Sequence, residues 1–201
     1  MDVSRKTSAG LTRREFVQGL GSLGLGAAAV RVGEQVPANS PVHTVFLAAQ
    51  PIWPTGRAEE KNLFVGFRAV FPGAADKEIT LRVAASTVYR CFVNGKFGGY
   101  GPARAAHGYY RVDEWNLTDL LRPGQNVVAF EVAGYNVNSY YLLDQPSFLQ
   151  AEITAGDKVL AATGSARNPF EAAILCERVQ KVQRFSFQRP FSEAYRLAPQ
   201  S

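Results

Sequence analysis

Two kinds of side chain in this sequence could act together: flat aromatic rings, and carboxamides that recur beside them. The stretch Asn136-Val137-Asn138-Ser139-Tyr140-Tyr141 sets two amides next to two phenols, and Trp53 and Tyr110 add rings elsewhere in the chain. Aromatic rings stack on the apolar faces of pyranoses, while amides supply both the donors and the acceptors that orient a hydroxylated ligand. Trp53, Tyr110, Asn136, Asn138, Tyr140 and Tyr141 are therefore the candidate carbohydrate-binding residues. Tyr100, Tyr109, Trp115 and Tyr135 belong to the same pool of rings. Aromatics at strand ends would equally serve as core, so the two uses stay side by side at this stage.

Other chemistries find less support. Asp113 and Glu114 are adjacent, and neighbouring residues of a strand point to opposite faces, so the two carboxyls do not flank one glycosidic bond. Cys91 lies in the alternating run 88–93, on one face with Tyr89 and Val93, and reads as a small buried hydrophobe; His43 and His107 are the only histidines and neither adjoins it. Gly98-Gly99-Tyr100-Gly101 lacks the Lys-Ser/Thr of a phosphate loop and reads as a bend or bulge. Asp113, Glu114 and Asp119 do not form the dense run of oxygens of a calcium loop. Glu177, Arg178, Lys181 and Arg184 read as a solvated mixed-charge face. No catalytic residue, metal ligand or cofactor is assigned.

Charge is unevenly spread. The chain of 201 residues carries a net +5, but residues 1–31 hold five bases against two acids, a net of +3 that leaves +2 for the rest. A nearly neutral body with scattered Lys and Arg excludes the basic footprint of a nucleic-acid binder. The N-terminal excess has its own explanation: Arg13 and Arg14 precede Phe16 and a glycine-diluted apolar run over 17–30, the pattern of a twin-arginine export signal. About 14 residues interrupted by glycine fall short of the about 20 a spanning helix needs, so membrane contact is expected only during export, with cleavage near Ala29. The expected destination is periplasmic or extracellular, where two cysteines do not amount to a disulfide framework.

The elements that must position the candidate residues read as strands. Short β-rich segments at 44–49, 62–71, 78–85, 88–93, 109–113, 126–133, 148–154 and 158–163 are separated by Pro72-Gly73, Asn94-Gly95, Pro123-Gly124 and Gly156-Asp157. Asn94-Gly95 predicts a two-residue type I′ hairpin that pairs 88–93 with the residues after Lys96. Ile79, Leu81 and Val83 alternate with polar neighbours, as in a sheet half in water, whereas 127–132 is nearly continuous in apolar residues, as in a strand covered on both sides. A single helical turn is expected at 117–121, with Asn116 as a possible N-cap. The reading is an all-β sandwich over 37–201, preceded by a signal and linker over 1–36.

The run Tyr89-Arg90-Cys91-Phe92-Val93-Asn94-Gly95-Lys96, then Gly101-Pro102, then residues 115–129 from Trp115 through Leu117-Thr118 and Leu121-Arg122-Pro123-Gly124 to Asn126-Val127-Val128, resembles the N-terminal module of bacterial α-L-rhamnosidases. Segments 62–68 and 184–191 extend the likeness over roughly 44–196. The resemblance implies a jelly-roll sandwich of the galactose-binding type, a structural role for Trp115, and catalysis by a separate (α/α)6 barrel for which a chain ending at Ser201 leaves no room. The expected function is a non-catalytic carbohydrate-binding or scaffold module of an exported α-L-rhamnosidase-like glycoside hydrolase, whose partners are a rhamnose-containing glycan or the barrel. A stand-alone exported binding or structural module, and a small intact glycosidase, are the alternatives.

Overall fold

The structure, a computed structural model, describes residues 46–73, 77–106 and 108–197. The export signal expected over 1–36, with Arg13, Arg14 and Phe16, the two histidines, and the start of the segment expected at 44–49 lie outside the described residues.

Nine strands alternate with turns among the described residues: β1 (Leu63–Pro72), β2 (Ile79–Ser86), β3 (Val88–Val93), β4 (Lys96–Gly101), β5 (Asp113–Asn116), β6 (Gln125–Gly134), β7 (Phe148–Ala155), β8 (Lys158–Ala162) and β9 (Glu171–Ile174). They form two antiparallel sheets, one ordered β4-β3-β6-β1-β9 and the other β5-β2-β7-β8. The two-layer all-β sandwich is thus as expected. Alternation puts Ile79, Leu81 and Val83 of β2 against Val65 and Phe67 of β1, Tyr89 and Cys91 of β3, and Val128 and Phe130 of β6 in one buried core. Phe130 sits at its centre, 5.7 Å from the Tyr89 ring and 6.1 Å from the Phe170 ring. Cys91 is buried and unbridged within it.

Three expectations need correction. Residues 46–49 form no strand, because the Glu152 carboxylate accepts bonds from the Leu47, Ala48 and Ala49 amides at 2.9 to 3.3 Å, and these amides are then not offered to a sheet. Residues 109–112 are loop, and the strand begins only at Asp113, where β5 takes up its register with β2. Strand β9, missed in the sequence, is four residues long and adds to the edge of β1.

The turns gather at one end. Asn94 and Gly95 have φ of 51° and 81°, the positive pair that a type I′ hairpin requires. Between β3 and β4, Gly99 faces Cys91 while Phe97 faces Phe92, so the glycine run contains a bulge; the Trp115 ring lies so close over Gly99 that a Cβ there would come within 2.9 Å of it. The helical turn at 117–121 is a 3-10 turn over Thr118–Leu120, and Asn116 Oδ1 accepts the Thr118 amide at 2.9 Å from one residue before the cap position. Asn126 clamps the return to β6. Its Nδ2 donates to the Arg122 and Gly124 carbonyls at 2.9 and 3.1 Å, and its Oδ1 accepts from Arg122 N at 2.9 Å and from Asn94 Nδ2 at 2.8 Å. Asn94 in turn accepts the Val127 amide at 3.0 Å and donates to the Leu120 carbonyl at 3.2 Å.

Asn126 is fully buried, so its removal would strand several backbone groups without water. Asn126→Ala is expected to lower unfolding stability by about 3 kcal/mol in urea titrations, against under about 0.5 kcal/mol for a surface control such as Lys158→Ala.

Candidate functional site

The opposite end of the sandwich carries the long connections. There β2 ends at Ser86, β4 at Gly101 and β6 at Gly134, while β3, β5 and β7 begin; Ser86 pairs with Phe148, Tyr89 with Gly101 and Val88 with Ala133. Segments 102–106, 108–112 and 135–147 emerge at this end, and the C-terminal segment folds back against 135–147 through Arg184, Phe187 and Gln188.

Two of the six candidate ligand residues are structural pins. Trp53 is 1% exposed, packs 5.7 Å from the Phe67 ring and donates Nε1 to the Arg57 carbonyl at 3.2 Å; no face of the indole is left for a sugar. Asn136, fully buried with φ 46°, donates Nδ2 to the Ala58 and Glu60 carbonyls at 2.7 and 3.0 Å and accepts Ser147 Oγ at 3.1 Å. Both were read as ligand contacts from residue type alone, and in both the polar group is consumed by backbone carbonyls. The neighbouring Glu60 carboxylate is bound by the Arg57 guanidinium at 2.5 and 2.6 Å and by Gln180 Nε2 at 2.9 Å, which fastens the C-terminal segment to the loop before β1. The hydrogen bond from Arg57 chiefly holds the Glu60 carboxyl down at about 2, against the opposing effect of burial.

Of the other four candidates, Tyr140, Tyr141 and Tyr110 border two depressions that share Tyr141, and Asn138 lines neither. Tyr140 and Tyr141 are exposed, and they line a broad open depression of about 650 Å³ with Phe185, Gln188 and Arg189. Tyr140 is held from three sides: its hydroxyl accepts from Gln188 Nε2 at 3.3 Å, its carbonyl accepts from Arg104 Nη1 at 2.9 Å, and its ring meets Phe187 edge-on at 5.9 Å. Tyr141 also borders a second depression of about 120 Å³ shared with Tyr109, Tyr110, Arg104 and Gln145. Tyr110 is half-buried and packs edge-on against Phe148 at 4.7 Å. Asn138 is exposed, its Oδ1 accepting the Asp144 amide at 3.0 Å and its carbonyl accepting Arg184 Nη2 at 2.9 Å.

A third cavity, about 290 Å³, opens on the outer face of the five-stranded sheet and shares Val88 and Pro102 with the second. Its floor carries charges that the sequence reading passed over. Glu131 of β6 is 4% exposed, with Arg90 and Arg178 nitrogens 3.8 and 3.7 Å from Oε2. The same two guanidinia bind Glu193 at 3.2 and 2.7 Å, so two acids and two bases alternate around a closed ring. Burial alone would raise Glu193, but the hydrogen bond from Arg178 and the charges of Arg178 and Arg90 hold it below the usual carboxylate range. Arg178 is not on a solvated face. Its guanidinium lies between the Phe64 and Tyr195 rings, 4.5 and 4.1 Å from their centroids. The signal that could have found this ring was Glu131 itself, a lone acid inside an apolar run.

Elsewhere, polar groups are committed to one another. Trp115 Nε1 donates to the Tyr89 hydroxyl at 3.0 Å, which donates to Asp113 Oδ2 at 2.6 Å; Glu114, on the other face, accepts from Arg82 Nε at 2.8 Å. Burial pushes the Cys91 thiol up to about 12, so it is not a thiolate nucleophile near neutrality. Among the described residues, no group of three or more His, Cys, Asp or Glu side chains is placed to hold a metal ion.

No protein-family model matches the chain, and no curated protein matches it. Solved structures do. A GH78 family rhamnosidase of Bacillus sp. GL1 is similar at 30% identity and a TM-score of 0.67, over 73% of this chain and 15% of that one. The alpha-L-rhamnosidase of Aspergillus terreus (14% identity, TM-score 0.44, 70% of this chain and 20% of that one) and the Pleurotus ostreatus lectin (18%, 0.40, 75% and 43%) are more distant. The chain therefore spans about 15% of the length of the Bacillus rhamnosidase it resembles.

The Glu60 contact generates a pH test. Folded Glu60 protonates near 2 and the unfolded side chain near 4.5, so its contribution is complete above about pH 4.5 and is lost as pH falls toward 2. The pair is about one-third exposed, which limits its worth to about 1 kcal/mol. Glu60→Gln is expected to cost that amount at pH 7 in urea titrations, and the gap from wild type should close between pH 4.5 and 2.

Proposed function

We propose that this chain is the non-catalytic β-sandwich module of an exported α-L-rhamnosidase-like glycoside hydrolase, contributing carbohydrate contacts and scaffold packing rather than bond cleavage. The observation that carries this reading is the likeness to the Bacillus rhamnosidase at 30% identity across 73% of the chain, a likeness to one part of a longer enzyme. The arrangement of acids supports the non-catalytic role. Glycoside hydrolysis needs one carboxyl free to give a proton and another free to act as base or nucleophile. Asp113 is engaged by Tyr89, Glu114 by Arg82, and Glu131 and Glu193 share two guanidinia. Export rests on Arg13, Arg14 and Phe16 in the leader.

The carbohydrate part of the reading rests on the loop end. Tyr140 and Tyr141 present rings that are 65% and 50% exposed beside a depression of about 650 Å³, and Gln188 and Arg189 also line it. The stand-alone binding module remains the second reading, favoured by Phe185 and Phe187, which are 82% and 68% exposed and would serve a glycan as well as a domain interface.

Calorimetric titration with rhamnogalacturonan fragments is expected to give saturable heat. Tyr140→Ala and Tyr141→Ala should each weaken binding by roughly five- to tenfold, the worth of one stacked ring. Aryl rhamnosides should not be turned over; turnover abolished by a single carboxylate substitution would overturn the non-catalytic reading, and flat heats with every glycan would reduce the module to scaffold.

A further inference from the structure

We propose that the third cavity, on the outer face of the five-stranded sheet, is a subsite for one neutral pyranose ring, stacked on Tyr100 and hydrogen-bonded by the Arg90–Glu193 side of the ionic ring. The proposal rests on the carbohydrate reading above and assigns it a place that none of the six candidate residues occupies.

Four features of the cavity carry it. The first is accessibility within the ring. Arg178 and Glu131 expose 2% and 4% of their side chains, whereas Arg90 and Glu193 expose 38% and 37%; the inner pair holds the outer pair in place, and the outer pair faces the cavity. The second is donor and acceptor capacity. A carboxylate has about four lone-pair sites, and among the described residues Glu193 Oε1 accepts only from Arg90 Nη2, at 3.2 Å, while its Oε2 takes Arg178, Arg90 and the Tyr195 hydroxyl. Among the described residues Arg90 hydrogen-bonds Glu193 through Nη2 while its Nη1 stands 3.8 Å from Glu131, and its Nε–H remains for a ligand. A sugar hydroxyl gives and receives hydrogen bonds, and a carboxylate beside a guanidinium serves both needs.

Charge balance decides the class of sugar. Two acids and two bases leave the ring with no net charge, so a uronate or phosphate would gain no attraction and would bring a second anion beside Glu193. The last feature is Tyr100. It stands on the edge strand β4, directly opposite Arg90 in the β3–β4 register, and is 75% exposed although a strand holds it in place. A rigid, exposed ring above a polar rim, with Phe64, Val88 and Ala133 as apolar lining, meets the two faces of a pyranose. A volume of about 290 Å³ suits one ring rather than a chain. The shared lining of the three depressions would let further units of an oligosaccharide run toward Tyr141.

The test is titration of the full chain with the monosaccharides L-rhamnose, D-galactose and D-galacturonate, followed by calorimetry and ligand-detected NMR. One of the neutral sugars is expected to bind with a dissociation constant in the millimolar range, and galacturonate no more tightly than galactose. Tyr100→Ala and Glu193→Gln should each weaken the neutral sugar at least fivefold, and the surface control Lys158→Ala should leave it unchanged. Tyr100 is exposed, so its variant keeps the fold even if Glu193→Gln loosens the C-terminal segment. Unaltered binding in Tyr100→Ala, or tighter and salt-sensitive binding of galacturonate, would overturn the subsite. Fragment binding that depends on Tyr141 without any monosaccharide binding would sink the subsite and leave the carbohydrate reading standing; failure of every sugar would remove both.

Discussion

A buried carboxylate in a largely apolar strand sets the terms for half of this structure. Glu131 sits mid-way along β6, 4% exposed, on the face turned away from the main core. Burying one unpaired carboxylate costs several kcal/mol, so the outer face of the five-stranded sheet must supply cations, and β3 and the C-terminal segment each bring one to Glu131. Arg90 comes from the adjacent strand; Arg178 comes from beyond β9 and is carried there by the fold-back of the C-terminal segment. The aromatic rings above and below Arg178, with the Glu193 carboxylate, keep that segment down. Covering β6 on both faces, docking residues 177–196 and forming the third cavity are consequences of the same charge.

The sandwich separates its labour by end. Antiparallel register places Asn94-Gly95, the Thr118–Leu120 turn, Gly124 and Gly156 at one end, where the Asn94 and Asn126 side chains stitch the first three together. Asn94-Gly95, Thr118, Gly124 and Asn126 belong to the runs that carry the likeness to rhamnosidases in the sequence, and each of them makes a turn or clamps one. The motif is therefore a record of how the fold closes, and says little about what it touches. Loop 135–147 leaves from the other end, tethered by Asn136 to the Ala58 and Glu60 carbonyls and by Arg104 to the Tyr140 carbonyl, which is how a long loop can hold exposed rings in one arrangement.

Legibility in the sequence followed the range of the interactions. Period-two alternation and turn chemistry act over two to four residues, and they placed β2, β3, β6, β7, β8 and the Asn94-Gly95 hairpin correctly. The segment at 46–49 had strand composition, but its amides are taken by Glu152, more than 100 residues away in the chain. Strand β9 is too short to show a period. Among the candidate residues the same divide holds: Tyr140 and Tyr141 lie on a loop and are exposed, whereas Asn136, two residues from Asn138, turns inward because its positive φ aims the amide at carbonyls that precede β1. Nothing local distinguishes the two asparagines. Arg178 looked like part of a charged surface for the same reason, since the rings that enclose it come from Phe64 and Tyr195.

A closed ring of two acids and two bases is a poor source of stability, because desolvating four charges offsets most of what their pairing returns. What such a ring supplies is direction. Each guanidinium is planar with fixed N–H vectors, each is shared between two carboxylates, and no member can rotate without breaking a contact to another. Arg90 and Glu193 are thereby held at the rim in the absence of any ligand, so a hydroxylated molecule entering the cavity would not have to pay for ordering them. A binding module is served by that rigidity and a catalyst is not: proton transfer needs a group whose affinity for the proton is poised near neutrality, and a carboxylate held below its ordinary range by two arginines stays ionised. Under the proposed reading, the feature that suits this face to recognition is the one that withholds it from hydrolysis.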